Sequence, residues 1–148
     1  MYKLPVSVLV VVHTAQLEVL LLERSSRPGY WQSVTGSLDR LDEPLETAAA
    51  REVMEETGID PSGGRLARWN AVYRFEIYAQ WRHRFAPGTL YNTEHVFGLA
   101  VHERRAVKLA PREHVAYEWL AWDRAAARCF SWSNRDAIHM LGERAVIA

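Results

Sequence analysis

The chain is poor in cysteine and has no excess of charge of either sign. Cys129 is the single cysteine in 148 residues, and 18 basic side chains balance 18 acidic ones. One cysteine excludes an internal disulfide and is typical of a protein in a reducing cytoplasm. Balanced charge excludes a general attraction to nucleic acids or anionic membranes, although a local cluster can still bind a small anion. No base neighbours Cys129 in the sequence, so we expect a buried bystander and not a nucleophile.

Long hydrophobic runs and sequence repeats are also missing. The most apolar early stretch, residues 6–12, is too short to span a bilayer and lacks the small-residue cleavage pattern of a secretory signal. Neither linkers nor low-complexity tracts divide the chain. We therefore expect a single domain over residues 1–148, located in the cytoplasm, that acts without a membrane, nucleic-acid or protein partner.

Several segments have the residue pattern of β-strands. Residues 6–12 and 17–22 are runs of β-branched and aliphatic residues, which predict two buried, paired strands. Further strands are predicted over residues 66–78, 81–85, 94–101 and 117–122. On the second of these, Arg82 and Arg84 would share one face of the strand and His83 would lie on the other.

Helices alternate with these strands. Residues 43–57 are rich in alanine, glutamate and arginine, and Gly58 follows where a helix commonly ends. Asp123 and Ser133 are predicted to cap two further helices near the end of the chain. This order of elements indicates an α+β domain in which helices pack on a mixed sheet.

Three glutamates gather near the C-terminal end of the first predicted helix. At 100° per residue, Glu52 and Glu56 lie on one face and Glu55 lies next to it. Like charges four residues apart cost about 0.2–0.5 kcal/mol per pair, and the negative end of the helix dipole also disfavours anions. Hard oxygen ligands without histidine or cysteine suit Mg²⁺ or Mn²⁺. The alternative is a solvated acidic helix end that Arg51 partly neutralises.

The residues around these glutamates resemble the signature motif of the Nudix hydrolases. Gly36 and Glu43 precede the segment Arg-Glu-Val-Met-Glu-Glu-Thr-Gly-Ile at residues 51–59, and seven residues separate Glu43 from Arg51, as in the family. Six residues instead of the usual five separate Gly36 from Glu43, and Asp42 occupies the usual spacing. We interpret this as a one-residue insertion in the loop before the helix. By the resemblance, Glu43 and Arg51 brace the helix.

The resemblance implies the Nudix fold, a mixed β-sheet sandwiched between helices. It also implies an enzyme that uses Mg²⁺, or alternatively Mn²⁺, to hydrolyse a phosphoanhydride bond with water. By the family pattern, Glu52 and Glu56 bind the metal, together with Glu55 and the Gly36 carbonyl oxygen.

Segments outside the motif resemble those Nudix enzymes that convert dihydroneopterin triphosphate to dihydroneopterin monophosphate and pyrophosphate in bacterial folate synthesis. These segments are residues 2–7, 30–36, 82–88, 92–95, 113–120 and 131–135. By this resemblance, four residues contact the small-molecule triphosphate: Lys3, Arg24, Thr35 and Ser131. Glu113 would be a distal carboxylate that binds metal or takes a proton. Which carboxylate is the general base stays open.

Six tryptophans are numerous for a chain of this length. Most are expected in the core, and Trp132 is the best candidate to stack on a flat heterocycle, because aromatic faces suit such a ring.

Two other functions stay open. A Nudix hydrolase acting on (deoxy)nucleoside triphosphates such as dATP or 8-oxo-dGTP fits the same motif, because a purine resembles a pterin in shape. A non-catalytic Nudix-like binding module is disfavoured, because such modules commonly lose the motif glutamates and this chain keeps Glu52, Glu55 and Glu56.

Overall fold

The computed structural model describes residues 1–147. It contains a seven-stranded mixed sheet. The strands are β1 (Val6–His13), β2 (Glu18–Arg24), β3 (Trp31–Gln32), β4 (Val34–Ser37), β5 (Arg65–Glu76), β6 (Tyr91–Ala100) and β7 (His114–Ala121). They are arranged in the order β3-β2-β1-β6-β5, while β4 pairs with β1 and β7 pairs with β2. Strands β1 and β6 run parallel, and the other pairs are antiparallel. The predicted pairing of the first two strands is confirmed.

Three α-helices complete the fold: α1 (Leu45–Thr57), α2 (Trp122–Arg128) and α3 (Trp132–Ile147). Helix α1 ends at Gly58, as predicted, and Gly58 has a φ of 70°. Glycine adopts this left-handed conformation without steric penalty, so its N–H can donate to the Met54 carbonyl oxygen and close the helix. Within residues 1–147, none of the helices combines the length and apolar character needed to cross a bilayer.

The helices cover both faces of the sheet, because β1 is apolar on both sides. Val8, Val10 and Val12 are fully buried in a core that includes Ala49 and Val53 of α1. The alternate residues of β1, Leu9 and Val11, lie in a second core with the following residues of α2 and α3: Ala125, Ala126, Ala137, Ile138 and Leu141. The expectation of a mixed sheet sandwiched between helices is confirmed.

The predicted strand over residues 81–85 is wrong. The backbone N–H of Ile77 donates to the carbonyl oxygen of Leu90 and closes the β5–β6 hairpin. Residues Ala79–Arg84 therefore belong to the connection and form a 3₁₀ turn. Arg82 and Arg84 do not share a strand face.

The predicted helix caps are also wrong. Helix α2 begins at Trp122, and Asp123 lies inside its first turn, where its carboxylate accepts from the Arg124 backbone N–H at 2.9 Å. Helix α3 begins at Trp132, so Ser133 is already helical. Ser131 caps α3 instead, because its Oγ accepts from the backbone N–H of Asn134.

Candidate active site

Two adjoining depressions share Lys3, Arg24 and Arg84 in their walls. The larger, which we call the polar cleft, has a volume of about 720 Å³, and its lining includes Glu52, Glu55, Glu56 and Glu113. The smaller, the aromatic cavity, has a volume of about 270 Å³. Its aromatic side chains are Phe75, Tyr78, Trp81, Phe85, Phe130 and Trp132.

Two glutamates of α1 are buried side by side at the bottom of the polar cleft. Glu52 is 8% exposed and Glu56 is 3% exposed, whereas Glu55 is exposed at the edge. Burial raises the pKa of Glu52 to about 7, although the nearby Arg51 charge opposes this. Burial, and then the charges of Glu52 and Glu113, raise the pKa of Glu56 well above its ordinary value. Two carboxyl groups that are this close together and this deeply buried are both ionised only when a cation neutralises their charge.

Arg51 braces α1 against the loop that precedes it. Its guanidinium donates to both carboxylate oxygens of Glu43, at 3.0 and 3.1 Å, and to the Ser37 carbonyl oxygen at 3.2 Å. It also donates to Glu52 Oε1 at 2.9 Å. One arginine thus links the loop, the end of β4 and the buried acidic pair, as the sequence motif implied.

The extra residue between Gly36 and Glu43 is accommodated in the exposed part of this loop. Glu43 is the carboxylate that holds Arg51, and it also accepts from the Asp39 backbone N–H at 2.8 Å. Asp42 is exposed and pairs with Arg40 at 3.0 Å. The insertion leaves the contacts of the helix intact.

The backbone of β4 approaches α1 closely at Gly36. A Cβ atom at this position would overlap the carboxyl group of Glu52. A side chain at position 36 would therefore displace the Glu52 carboxylate, so glycine there leaves this carboxylate in place, and Gly36 lines both depressions.

Basic side chains line the polar cleft together with the glutamates, and the charges of the two groups influence each other. The Arg24 guanidinium carbon lies 4.4 Å from the centroid of the Trp81 ring, and its Nη1 donates to Gln32 Oε1 at 3.3 Å. Arg24 Nε is buried and has no partner among the described residues. Burial, followed by the charges of Arg84 and Arg24, lowers the pKa of Lys3. These crowded, partly desolvated cations form a site for an anion.

The NUDIX domain family matches residues 3–141 of this chain. The chain belongs to the Nudix family. The dihydroneopterin triphosphate diphosphatase of Escherichia coli (strain K12) is 47% identical over 141 residues, which cover 93% of this chain and 91% of that protein. The protein of the same name from Haemophilus influenzae is 35% identical over 140 residues, covering 93% and 87%.

A solved structure is similar to this chain in both fold and sequence. The E. coli dihydroneopterin triphosphate pyrophosphohydrolase has a TM-score of 0.88 and 44% sequence identity to this chain, covering 95% of this chain and 96% of that one. The resemblance to the Nudix hydrolases and the Nudix fold predicted from it are confirmed.

Nudix hydrolases generally use divalent metal ions, and the donors in the polar cleft fit such an ion. The buried acidic pair offers oxygen donors only, and Glu56 Oε1 is buried with no partner among the described residues. Within residues 1–147, no three acidic, histidine or cysteine side chains already converge as a complete ligand set. Glu52 and Glu56 form the converging pair, and Glu55 turns toward Arg51 at 3.4 Å.

The structure places the predicted substrate-binding residues of this Nudix hydrolase in two groups. Thr35 lies beside Arg24 and Lys3 in both depressions, and its Oγ1 accepts from Gln32 Nε2 at 3.2 Å. Ser131 lines only the aromatic cavity. Glu113 is exposed in the wall of the polar cleft, where its charge influences Glu56 and Arg24.

Of the predicted basic cluster, Arg84 lines both depressions and His83 lines the polar cleft. Arg82 is directed away, because its guanidinium bonds Glu76 and the Ile77 carbonyl oxygen. Arg82 therefore pairs with the end of β5 and lines neither depression.

Trp132 is 41% exposed and lines the aromatic cavity, whereas Trp31 and Trp69 are buried in the core as expected for most tryptophans. Trp81 also lines the cavity. Cys129 is a buried bystander, and burial raises the pKa of its thiol to about 12.

Three polar residues of the Nudix site were missed from the sequence. Asn92 and Glu94 are buried in the aromatic cavity, and His114 is buried in the polar cleft, where burial and the Arg24 charge lower its pKa to about 4. The signal for the first two was present in β6, since Asn92 and Glu94 alternate in phase with the buried Val96. Polar residues on the core face of a strand indicate a site.

Proposed function

We propose that this Nudix hydrolase is a Mg²⁺-dependent cytoplasmic pyrophosphohydrolase that converts dihydroneopterin triphosphate to dihydroneopterin monophosphate and pyrophosphate in folate biosynthesis. The observation that carries the proposal is that the polar cleft and the aromatic cavity adjoin and share Lys3, Arg24 and Arg84 in their walls. A triphosphate fits between carboxylates and cations on one side, and a flat bicyclic ring fits between aromatic side chains on the other. Relatives of that name, similar over most of this chain, support the choice of substrate.

We assign the acidic pair Glu52 and Glu56, with the Gly36 carbonyl oxygen and Glu113, to the metal. A divalent cation held by these residues would neutralise charge on the phosphate oxygens and would polarise the phosphorus under attack. Hard oxygen donors in a buried site favour Mg²⁺ over softer ions, with Mn²⁺ as a substitute.

The other residues of the cleft bind and orient the substrate. Lys3 and Arg24 hold phosphate oxygens, and the stacking of Arg24 on Trp81 fixes the direction of its guanidinium. Thr35 supports Arg24 through Gln32. Ser131 contacts the substrate from the aromatic cavity.

The reaction hydrolyses one phosphoanhydride bond of the substrate. A water oxygen forms a bond to phosphorus, the bridging P–O bond breaks, and pyrophosphate leaves. A carboxylate of the cleft takes the proton of the water, and the candidates are Glu52, Glu55, Glu56 and Glu113.

Product analysis tests the proposal. With dihydroneopterin triphosphate and Mg²⁺, we expect equal amounts of pyrophosphate and dihydroneopterin monophosphate and no orthophosphate. The value of kcat/KM should exceed those for dATP and 8-oxo-dGTP, the substrates of the alternative function. A higher kcat/KM for either nucleotide would overturn the proposed substrate, and orthophosphate as the product would overturn the proposed bond.

Replacing Glu113 with glutamine should lower kcat about a hundredfold, the usual contribution of one positioned acid–base group. The metal should stay largely bound, so the Mg²⁺ concentration for half-maximal activity should rise only modestly, because the buried pair on α1 remains. Steady-state rates across a Mg²⁺ titration measure both quantities. Glu103→Gln is the matched control, since Glu103 is exposed and outside both depressions. Equal rates for Glu113→Gln and the control would remove Glu113 from the mechanism.

A further inference from the structure

Two hydrogen-bond acceptors on the floor of the aromatic cavity have no partner. Glu94 is 4% exposed and Asn92 is 6% exposed, and both line the cavity. They are two residues apart on β6, so their side chains leave the same face of the strand. Within the described part of the chain, Glu94 Oε1 and Asn92 Oδ1 accept no hydrogen bond.

The side chain of Asn92 is held in place by its amide nitrogen. Its Nδ2 donates to Ser7 Oγ on the neighbouring strand β1 at 2.8 Å. The amide is thereby oriented with its nitrogen toward β1, and its carbonyl oxygen remains the free acceptor.

Glu94 is not part of a structural ion pair. No salt bridge among residues 1–147 includes it. Burial raises the pKa of its carboxyl group to about 7, and a hydrogen bond from Ser133 only partly offsets this. A buried carboxyl group whose Oε1 has no partner is unfavourable, so a purely structural role leaves its presence unexplained. A ligand with adjacent N–H donors would satisfy it.

We propose that Glu94 recognises the donor edge of a 2-amino-4-oxopyrimidine ring, the edge that dihydropterins and guanine share, and that Asn92 Oδ1 accepts a further N–H of the same ligand. The proposal rests on the proposed function and adds a determinant of its specificity. A ring N–H beside an exocyclic amino group presents two parallel donors, and these match the two oxygens of a carboxylate.

The surrounding side chains suit a ring in this position. Phe130 is stacked on Tyr30 with ring centroids 4.6 Å apart, and its edge contact with Trp81 has a centroid distance of 5.8 Å. Trp132 packs edge-on against Tyr73 at 5.4 Å. These mutual contacts keep the apolar walls in place around the acceptors.

Adenine does not match the hydrogen-bond acceptors that Glu94 and Asn92 place on the floor of the aromatic cavity. Its edge presents one donor next to one acceptor, so one carboxylate oxygen would face a ring nitrogen lone pair. A site with buried polar groups rejects a ligand that leaves them unpaired. A glutamine at position 94 has one acceptor and one donor and would therefore match adenine. With a pterin or guanine, its NH₂ group would instead lie against a ring N–H, so that two donors would face each other.

The test compares substrates on Glu94→Gln. The ratio of kcat/KM for dihydroneopterin triphosphate over dATP should fall at least about tenfold from the wild-type value, and so should the ratio for dGTP over dATP. Each ratio is independent of the amount of folded enzyme. Where a nucleotide is not turned over, its inhibition constant replaces kcat/KM. Glu118→Gln, which removes an exposed carboxylate paired with Arg128 outside both depressions, is the matched control and should leave the ratios unchanged.

The outcomes separate the two proposals. Ratios in Glu94→Gln equal to those of wild type would overturn the role of Glu94. A wild-type enzyme that prefers dATP to dihydroneopterin triphosphate would overturn the proposed function by itself. The dGTP-to-dATP ratio would still decide whether Glu94 recognises the shared edge.

Discussion

Glu56→Gln should lower Mg²⁺-dependent kcat by about a thousandfold while leaving the fold intact. Glu56 belongs to the buried acidic pair that we assign to the metal, and a tenfold loss of rate corresponds to 1.36 kcal/mol of barrier, so this loss is about 4 kcal/mol. Glutamine fills the same space but is a neutral and weaker ligand. Steady-state kinetics with saturating Mg²⁺, alongside circular dichroism, measure the two effects.

The same substitution should stabilise the metal-free protein. Burial and the charges of Glu52 and Glu113 disfavour an ionised Glu56, and glutamine removes that charge. Glu46→Gln is the matched control, because Glu46 is on the same helix but exposed and paired with Arg68. Wild-type turnover by Glu56→Gln would show that Glu56 is not a metal ligand.

Glu94→Gln should make the protein more stable than wild type by a margin that grows with pH. The pKa of Glu94 is about 7 in the folded protein against an ordinary value of 4.5. The folded state therefore binds this proton more tightly than the unfolded state, and stability is lost as pH rises from about 4.5 through 7. The shift corresponds to a loss of up to roughly 3 kcal/mol, because one pKa unit is 1.36 kcal/mol.

Urea unfolding of both proteins with EDTA at pH 4.5, 6 and 8 measures this margin. Other groups titrate in the same range: the lowered pKa of His114, about 4, makes stability rise with pH up to about 6.5. That contribution is common to both proteins and cancels in their difference. A margin that is constant with pH would show that the Glu94 carboxyl is solvated in the folded protein.

The acidic part of the site could be predicted from the sequence because it depends on short-range geometry. Glu52 and Glu56 share a face through the helical period alone, and Gly58 ends α1 through its own backbone preference. The insertion before Glu43 could be placed for the same reason, since the contact between Glu43 and Arg51 spans only eight residues.

Most of the aromatic side of the site could not be predicted, because contacts between distant segments create it; the signals available were the alternation along β6 and the resemblance around Ser131 and Trp132. The turn at Ala79–Arg84 follows from the closure of the hairpin between Ile77 and Leu90. Glu94 receives a hydrogen bond from Ser133 of α3, nearly forty positions further along the chain. Ser33 and Asn134, which join the β3–β4 corner to α3 through a buried 2.9 Å hydrogen bond, are 101 positions apart. Local residue patterns do not specify which distant segments make such contacts.

The hydrogen bonds between Arg51 and Glu43 act as a clamp that fixes the position of α1. The exposed part of the loop before α1 therefore does not set the helix position. Residues 40–42 lie outside the clamp and are exposed, so a longer segment there adds only loop-closure entropy, about 0.6 kcal/mol for each doubling of length. A short peptide tag or a fluorescent label inserted beside Leu41 would therefore report on the mouth of the cleft without disturbing the chemistry below it.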